Sequence, residues 1–271
     1  MADTTAPFEV AYGVATDVGR VRKHNEDGWY ANPPVFLVAD GMGGHTRGDA
    51  AAAAIVQQFR LVEVNAWLTP QTLHATVEHA ADDVAALSDD RGAPGSTLTG
   101  VGMTLVDGVP YWLVFNVGDS RTYLFQDDEL EQITVDHSRV QELVAAGEIT
   151  PDQARRHPHR NVITRALGAG LVDVPVVDQW LVPAVAGQRL LCCSDGLHGE
   201  VSDASIADAM RSKKAAQEVA DSLVAAAVAA GGRDNVTVLI VDVIRAGRET
   251  EDDAADPDGR TLPNAASGVM T

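Results

Sequence analysis

Five short acidic segments recur along this chain of 271 residues, and four of them lie next to an apolar run. Those runs have the length and composition of buried strands, and they cover residues 35–39, 111–117, 189–193 and 236–244. The acidic segments are Asn25-Glu26-Asp27, Asp40-Gly41-Met42-Gly43-Gly44, Gly118-Asp119-Ser120-Arg121, Ser194-Asp195-Gly196-Leu197 and Arg233-Asp234-Asn235. Carboxylates at strand ends converge at the rim of a sheet, where they repel one another unless cations lie between them. Because oxygen ligands suit hard divalent ions, the pattern predicts a Mg²⁺ or Mn²⁺ site.

Size and charge restrict the class of protein. With 45% hydrophobic residues, the chain can bury the core of one large domain or two small ones. The formal net charge of -19 argues against binding along a nucleic-acid backbone, which requires an excess of lysine and arginine. The same charge disfavours an anionic membrane surface. We therefore expect neither nucleic acid nor a membrane as a partner.

The sequence predicts a cytoplasmic protein without disulfides. No apolar run approaches the roughly 18 residues of a membrane span, and residues 1–5 lack the basic and apolar features of a signal peptide. Cys192 and Cys193 are adjacent within an apolar run, a position that indicates buried structural thiols. Neither cysteine is followed six positions later by arginine, so a cysteine-nucleophile phosphatase loop is absent.

The order of the predicted elements indicates an α+β fold. Thr69-Pro70 is a helix start with threonine as N-cap, and Asp107-Gly108 is a hairpin turn. Strands are expected at 8–14, 28–30, 97–106, 111–117 and 121–126, and helices at 49–61, 69–87, 139–146, 150–156 and 215–230. Because strictly alternating βαβ units are missing, the pattern favours antiparallel sheets covered by helices. The chain contains no phosphate-loop or dinucleotide fingerprint.

Two segments stand apart from this pattern. Residues 246–271 carry six acidic residues against two arginines and have no apolar period, which predicts a disordered acidic tail after a domain at 1–245. A polar insertion at about 136–168 interrupts the second half of the domain. We refer to this insertion as the flap.

The acidic segments, taken in order, resemble a known family. Gly19-Arg20-Val21-Arg22-Lys23-His24-Asn25-Glu26-Asp27 precedes Asp40-Gly41-Met42-Gly43-Gly44-His45, and Gly118-Asp119-Ser120-Arg121, Ser194-Asp195-Gly196 and Asp234-Asn235 follow. Each motif alone is weak, because Asp-Gly is a common dipeptide. Five in this order, over about residues 8–244, resemble bacterial-type metal-dependent protein Ser/Thr phosphatases of the PP2C (PPM) family.

The resemblance implies a sandwich of two antiparallel sheets flanked by helix pairs, with two or three Mn²⁺ or Mg²⁺ ions at one end. The direct metal ligands that it implies are Asp27, Asp40, Asp195, Asp234 and the backbone carbonyl of Gly41. Glu26 would hold a metal through water, and Arg22 would bind the substrate phosphate through paired charge-assisted hydrogen bonds. A third ion would fall on Asp119 together with Asp195.

The chemistry that these residues imply is direct hydrolysis. Two ions about 4 Å apart lower the pKa of a water that they share, and that water attacks phosphorus while the ions and Arg22 neutralise the equatorial oxygens. The acid that protonates the leaving alkoxide stays open. Met42 stands where part of the family has histidine, and both His45 and a metal-held water are candidates.

Each assignment has a simpler alternative. Asp40, Asp195 and Asp234 are also suited to turns or caps, and Asp119 to a hairpin turn. Arg22 has the alternative of a solvated surface charge, and Ser96-Thr97 is interpreted as a structural strand entry. For the flap we predict an effect on phosphopeptide selection, with an inert surface excursion as the alternative. Its candidate residues are His137, Ser138, His157 and Asn161.

The expected function is hydrolysis of phosphoserine and phosphothreonine in proteins by a monomeric enzyme that opposes a Ser/Thr kinase. Its partners would be kinase targets or the kinase itself. One rival is a phosphatase of the same fold acting on an anti-sigma antagonist. A phosphoprotein-binding module without turnover and a metal-stabilised structural domain are further rivals. Retention of Asp27, Asp40, Asp195 and Asp234 argues against a pure binder, which could dispense with mutually repelling acids.

Overall fold

A computed structural model of the protein describes residues 8–43, 47–63, 67–90, 92–170 and 174–247. These residues form strands and helices in the mixed order that an α+β fold requires. The strands are β1 (Phe8–Asp17), β2 (Asp27–Asn32), β3 (Val35–Met42), β4 (Gly95–Ser96), β5 (Leu98–Val106), β6 (Val109–Val117), β7 (Arg121–Gln126), β8 (Glu129–Gln132), β9 (Leu167–Gly168), β10 (Asp178–Pro183), β11 (Arg189–Cys193) and β12 (Val236–Ala246). The helices are α1 (Gly48–Phe59), α2 (Pro70–Ala85), α3 (Arg139–Ala145), α4 (Pro151–Ala154), α5 (Asp195–His198), α6 (Asp203–Met210) and α7 (Ala216–Ala230).

The strands form two antiparallel sheets. The first has the order β1-β12-β11-β7-β8, and the second has the order β10-β6-β5-β3-β4-β9 with β2 paired to β3. Buried side chains of both sheets meet in a shared core that includes Phe36, Trp112, Leu190 and Leu239. This arrangement confirms the predicted two-sheet sandwich.

Helices cover the outer face of each sheet. Ile55 and Phe59 of α1 and Val77 of α2 pack with Leu37 of the second sheet in one buried cluster. Helix α7 packs against the first sheet in another. Helix α2 begins where the sequence indicates, since the Thr69 side chain accepts a hydrogen bond from the backbone N–H of Thr72.

The strongest local predictions are confirmed, and the weakest elements were missed. Asp107 and Gly108 join β5 to β6 with φ angles of 52° and 72°, as a type I′ hairpin turn requires. Besides the two-residue strands β4 and β9, strands β8 and β10 and helices α5 and α6 were not predicted. Strand β8 has the sequence Glu-Leu-Glu-Gln, with one apolar residue. Strand β10 lies at the edge of the second sheet and its side chains alternate between half-buried and exposed, so neither strand carries a strong apolar signal.

The two segments set apart by the sequence fall in different places. The flap contains α3 and α4, close to the two predicted helices. Ala246, the first residue of the predicted tail, pairs with Phe8 at the end of β12, and the tail from residue 248 lies outside the described residues. Within the described part of the chain, no helix is both long and apolar enough to cross a membrane.

Candidate metal centre

Four of the predicted acidic ligands come from neighbouring strands of the two sheets. Asp27 begins β2 and stands opposite Asp40 of β3 in the strand register. Asp195 follows β11, and Asp234 precedes β12, its neighbour in the first sheet. With Asp119, in the turn between β6 and β7, these residues form what we call the acidic cluster.

The charge of Asp40 is disfavoured by its surroundings. Burial raises the pKa of its carboxyl well above the usual range, and the charges of the four other members of the acidic cluster raise it further. The backbone of Asp40 is held in place by the strand entry that the sequence identified as structural. Thr97 Oγ1 accepts from the Asp40 N–H at 2.9 Å, and Ser96 Oγ donates to the Asp40 carbonyl at 3.0 Å.

Asp27 uses one oxygen for structure and leaves the other free. Its Oδ2 accepts hydrogen bonds from Ser194 Oγ at 2.8 Å and from Thr237 Oγ1 at 2.7 Å. Its Oδ1 is buried and has no hydrogen-bond partner among the described residues. Burial raises the pKa of Asp27 to about 6. One oxygen of this carboxylate is therefore available to a cation.

Asp119 and Asp195 also carry buried carboxylate oxygens without partners. The Oδ1 atom of each lacks a hydrogen bond among the described residues, and Asp119 is only 5% exposed. Burial raises the pKa of Asp195 to about 7, and burial followed by the charge of Asp195 raises the pKa of Asp119 well above its usual range. A solvated hairpin residue has no reason to be buried in this way.

These features fit a divalent cation site. Buried oxygens without partners cost free energy, and a hard cation bound to them removes that cost. Within the described ranges, no three carboxylate, imidazole or thiolate side chains stand close enough to enclose an ion by themselves. Mg²⁺ sites typically use one or two carboxylates and complete the shell with water or carbonyl oxygen. The residues present suit that kind of site.

Gly41 is placed where a side chain cannot be tolerated. A Cβ atom added there would collide with the carbonyl oxygens of Gly48 and Glu26. Gly48 is the first residue of α1, so the start of this helix packs directly against the end of β3. The glycine allows the backbone of the predicted carbonyl ligand to lie between Glu26 and α1.

Arg22 lies at the entrance of the acidic cluster. Its Nη2 donates to Asp234 Oδ2 at 2.7 Å, and its side chain is 51% exposed. It lines an open depression of about 610 Å³ together with Lys23, His24 and Arg47. Arg22 is thus both solvent-exposed and paired with a predicted metal ligand, and its role in binding the substrate phosphate stays a prediction.

Two residues to which no role was assigned from the sequence, Asn235 and Glu200, hold the loops around the acidic cluster. Asn235 is 5% exposed. Its Oδ1 accepts from the Glu26 N–H at 2.9 Å, and its Nδ2 donates to the carbonyls of Val18 and His24. Its position directly after Asp234 was the available signal. Glu200 similarly accepts from the backbone N–H and the guanidinium of Arg233, which anchors the Asp234 loop.

The flap candidates divide into two groups. His137 and Ser138 are 8% and 2% exposed, and Ser138 caps helix α3. Both side chains are enclosed by the protein itself, so they do not present a surface for direct substrate contact, and their effect on phosphopeptide selection stays a prediction. Asn161 is exposed and His157 is half-buried, so these two remain able to contact a substrate. His45, a candidate acid, lies outside the described residues.

Comparison with known proteins agrees with this geometry. The Protein phosphatase 2C family model matches residues 21–235. The serine/threonine phosphatase stp of Listeria innocua is 39% identical over 242 residues, covering 84% of this chain and 93% of that protein. The crystal structure of the Mycobacterium tuberculosis serine/threonine phosphatase PstP/Ppp has a TM-score of 0.78 and 36% identity, covering 87% of this chain and 99% of that one.

A further crystal structure bears on the metals. The catalytic domain of serine threonine protein phosphatase PstP in complex with two manganese ions has a TM-score of 0.74 and 36% identity, covering 87% of this chain and 98% of that chain. The family model spans every member of the acidic cluster. The chain belongs to the protein phosphatase 2C (PPM) family.

Proposed function

We propose that this protein is a metal-dependent protein Ser/Thr phosphatase that hydrolyses phosphoserine and phosphothreonine in proteins. The observation that carries the proposal is the acidic cluster, in which carboxylates from both sheets lie at one end of the sandwich and buried oxygens of Asp27, Asp119 and Asp195 have no hydrogen-bond partner among the described residues. The relatives named as serine/threonine phosphatases support the substrate class. The related catalytic domain with two manganese ions supports the cofactor.

The proposal assigns a role to each member of the cluster. Asp40, Asp195, Asp234 and the Gly41 carbonyl would hold two Mn²⁺ or Mg²⁺ ions, and Asp27 would add its free Oδ1. Asp119 would hold a third ion together with Asp195. When bound, the ions supply an activated water and neutralise phosphate charge.

The protein's own groups prepare the substrate. Arg22 presents a planar guanidinium at the open face of the cluster, where it can donate to two phosphate oxygens at once. To do so it shares or releases its hydrogen bond with Asp234. Glu26 would orient water beside the ions, and Asn235 fixes its backbone for that task. No nucleophilic side chain is required.

The finer assignments rest on the sequence and on the position of the flap. Residues 1–245 would form the catalytic domain, and Asn161 and His157 would influence which phosphopeptide binds. In the cell, the enzyme would act as a cytoplasmic monomer that opposes a Ser/Thr kinase. Equal activity of a flap-deleted, folded variant across several phosphopeptides would contradict the role of the flap.

The test is phosphate release from a phosphothreonine peptide by chelator-treated protein, with Mn²⁺ or Mg²⁺ titrated back. Turnover should depend on the metal and should be lost in Asp40→Asn. Asp208→Asn is the matched control, because this carboxylate is 78% exposed and lies on α6. Metal-bound, folded protein without turnover would favour a phosphoprotein-binding module instead.

A further inference from the structure

The turn that carries Asp119 is held by contacts from distant segments. It connects β6 to β7 through Gly118, Asp119 and Ser120. Gly118 has a φ of +106°, and a Cβ atom there would lie 2.6 Å from the side chain of Thr97. The turn therefore requires glycine at position 118, and its backbone is held by contacts from other segments.

His137, at the base of the flap, binds Gly118 twice. Its Nδ1 accepts from the Gly118 N–H at 3.0 Å, and its own backbone N–H donates to the Gly118 carbonyl at 2.9 Å. Because Nδ1 accepts, the ring proton sits on Nε2, which donates to Asp178 Oδ2 at 3.0 Å. Asp178 lies on β10, whose register places it opposite Asn116 of β6.

The same histidine joins the two ends of the flap. Its backbone carbonyl accepts from the Thr164 N–H at 2.8 Å. The other oxygen of Asp178 accepts from Arg165, so the returning end of the flap is tied to the same carboxylate. Through its imidazole and its backbone, His137 thus connects the Asp119 turn, β10 and both ends of the flap.

A second imidazole reaches the turn from the opposite direction. His198, at the end of α5, donates from Nε2 to the backbone carbonyl of Asp119 at 3.0 Å. Helix α5 begins with Asp195. The Asp119 turn is therefore bound on one side to the flap and on the other to the helix of a second predicted ligand.

We propose that His137 and His198 are positioning residues that fix Asp119 for metal binding, and that His137 couples this position to the base of the flap. The metal step of this inference rests on the proposed function. The hydrogen bonds themselves exist without metal, so the positioning can be measured independently of turnover.

The two ring nitrogens of His137 can be separated by substitution. In His137→Asn the side-chain oxygen can take the place of Nδ1 and accept from Gly118, whereas the link to Asp178 is lost. In His137→Gln the amide reaches Asp178, whereas the acceptor at Gly118 is lost. If His137 acted only by packing, there would be no reason for His137→Gln to disturb the Gly118 turn more than His137→Asn does.

Hydrogen–deuterium exchange of metal-free protein at residues 118–121 tests the contact. Loss of one buried hydrogen bond should accelerate exchange roughly threefold to tenfold in His137→Gln and leave His137→Asn close to wild type. The hairpin at Asp107-Gly108 serves as the internal reference. Equal exchange in both variants, or exchange equal to wild type in His137→Gln, would overturn the inference.

Two variants of His198 test the same turn, with glutamine rather than asparagine as the substitution expected to keep the contact. Here the contact uses Nε2, so His198→Gln should retain it and His198→Asn should lose it. This pair keeps the test decisive if a His137 variant is too unstable to purify. If both His198 variants exchange alike at residues 118–121, the proposed clamp is wrong.

The metal step has its own readout. His137→Gln and His198→Asn should need several-fold more Mn²⁺ than their partner variants for half-maximal calorimetric binding at the weakest site. Equal Mn²⁺ binding within each pair would overturn the metal step. Absence of Mn²⁺-dependent turnover in wild type would instead overturn the proposed function, without altering the exchange result.

Discussion

The guanidinium of Arg22 lies 2.7 Å from Oδ2 of Asp234, although 212 positions separate the two residues in sequence. The pairing joins the residue predicted to bind the substrate phosphate to a residue predicted to bind metal. The guanidinium places a positive charge at the open face of the acidic cluster. The fold therefore places Arg22 beside a predicted metal ligand, where the proposed reaction needs a phosphate-binding group.

Arg22→Ala should mainly raise KM for a phosphothreonine peptide, by about tenfold or more, because a charge-assisted contact with phosphate is lost. Arg22→Lys should lie between the alanine variant and wild type, since lysine keeps the charge but cannot form the two-pronged contact. Steady-state kinetics at saturating Mn²⁺ measure both. An unchanged KM in Arg22→Ala would remove Arg22 from the phosphate site.

Asp40→Asn should abolish turnover and at the same time stabilise the metal-free fold. The substitution removes a buried carboxylate whose charge is opposed by burial and by four neighbouring acids. Each kcal/mol added to the free energy of unfolding raises Tm by about 2–4 °C for a domain of this size. Thermal melting in chelator at pH 7.5 measures the gain. A Tm below that of wild type would show that the Asp40 carboxylate contributes structure rather than strain.

The metal-free protein should lose stability as pH rises from 5 to 7.5. The folded-state pKa values of Asp27 and Asp195 are raised to about 6 and about 7. Because the raised pKa values favour the protonated folded state, the two carboxyl groups stabilise the fold in full below about pH 4. That stabilisation is lost as the pH rises through the folded-state pKa values.

Melting temperatures in chelator across this range measure the effect, and Asp195→Asn should flatten the slope. Asp178 and Glu200 have lowered pKa values and act in the opposite direction, but only at more acidic pH. A slope that is identical in wild type and Asp195→Asn contradicts the assignment.

Asp119→Ala should lower activity while two Mn²⁺ ions remain tightly bound. The substitution removes one buried carboxylate from the proposed third site and leaves Asp40 and Asp234 intact. Counting the ions by native mass spectrometry, alongside turnover, distinguishes this site from the other two. Full activity in the variant would exclude a third catalytic metal at Asp119.

Asn235→Ala should destabilise the fold by about 2–3 kcal/mol, because three buried hydrogen bonds to the loop before β2 are lost together. It should also raise KM, since this loop carries Arg22 and Glu26. Chemical denaturation and peptide kinetics measure the two effects. Unaltered stability would mean that water replaces the side chain at no cost.

The local part of this architecture was readable from the sequence. The Asp107-Gly108 hairpin and the Thr69 cap follow from the preferences of adjacent residues. Four acids of the cluster were identified because they border apolar runs, and Asp27 was identified because all five segments appear in a family-like order. These signals need no knowledge of which strands pair.

The remaining part depends on strand pairing across long distances. Thr237 reaches Asp27 from 210 positions away, and Asn235 reaches Glu26 from 209. Neither contact can be deduced until β12 is placed in the sheet. The contact of the flap candidate His137 with Gly118 was missed for the same reason, since it appears only once the flap is folded onto the β6–β7 turn.

The most direct test of the account is a calorimetric titration of Mn²⁺ into chelator-treated wild type and Asp40→Asn, followed by phosphate release from a phosphothreonine peptide in the same samples. We predict at least two Mn²⁺ sites in wild type and turnover that rises as these sites fill. In Asp40→Asn we predict the loss of both Mn²⁺ binding and turnover. Folded wild-type protein that binds no Mn²⁺, or binds it without releasing phosphate, would contradict the account.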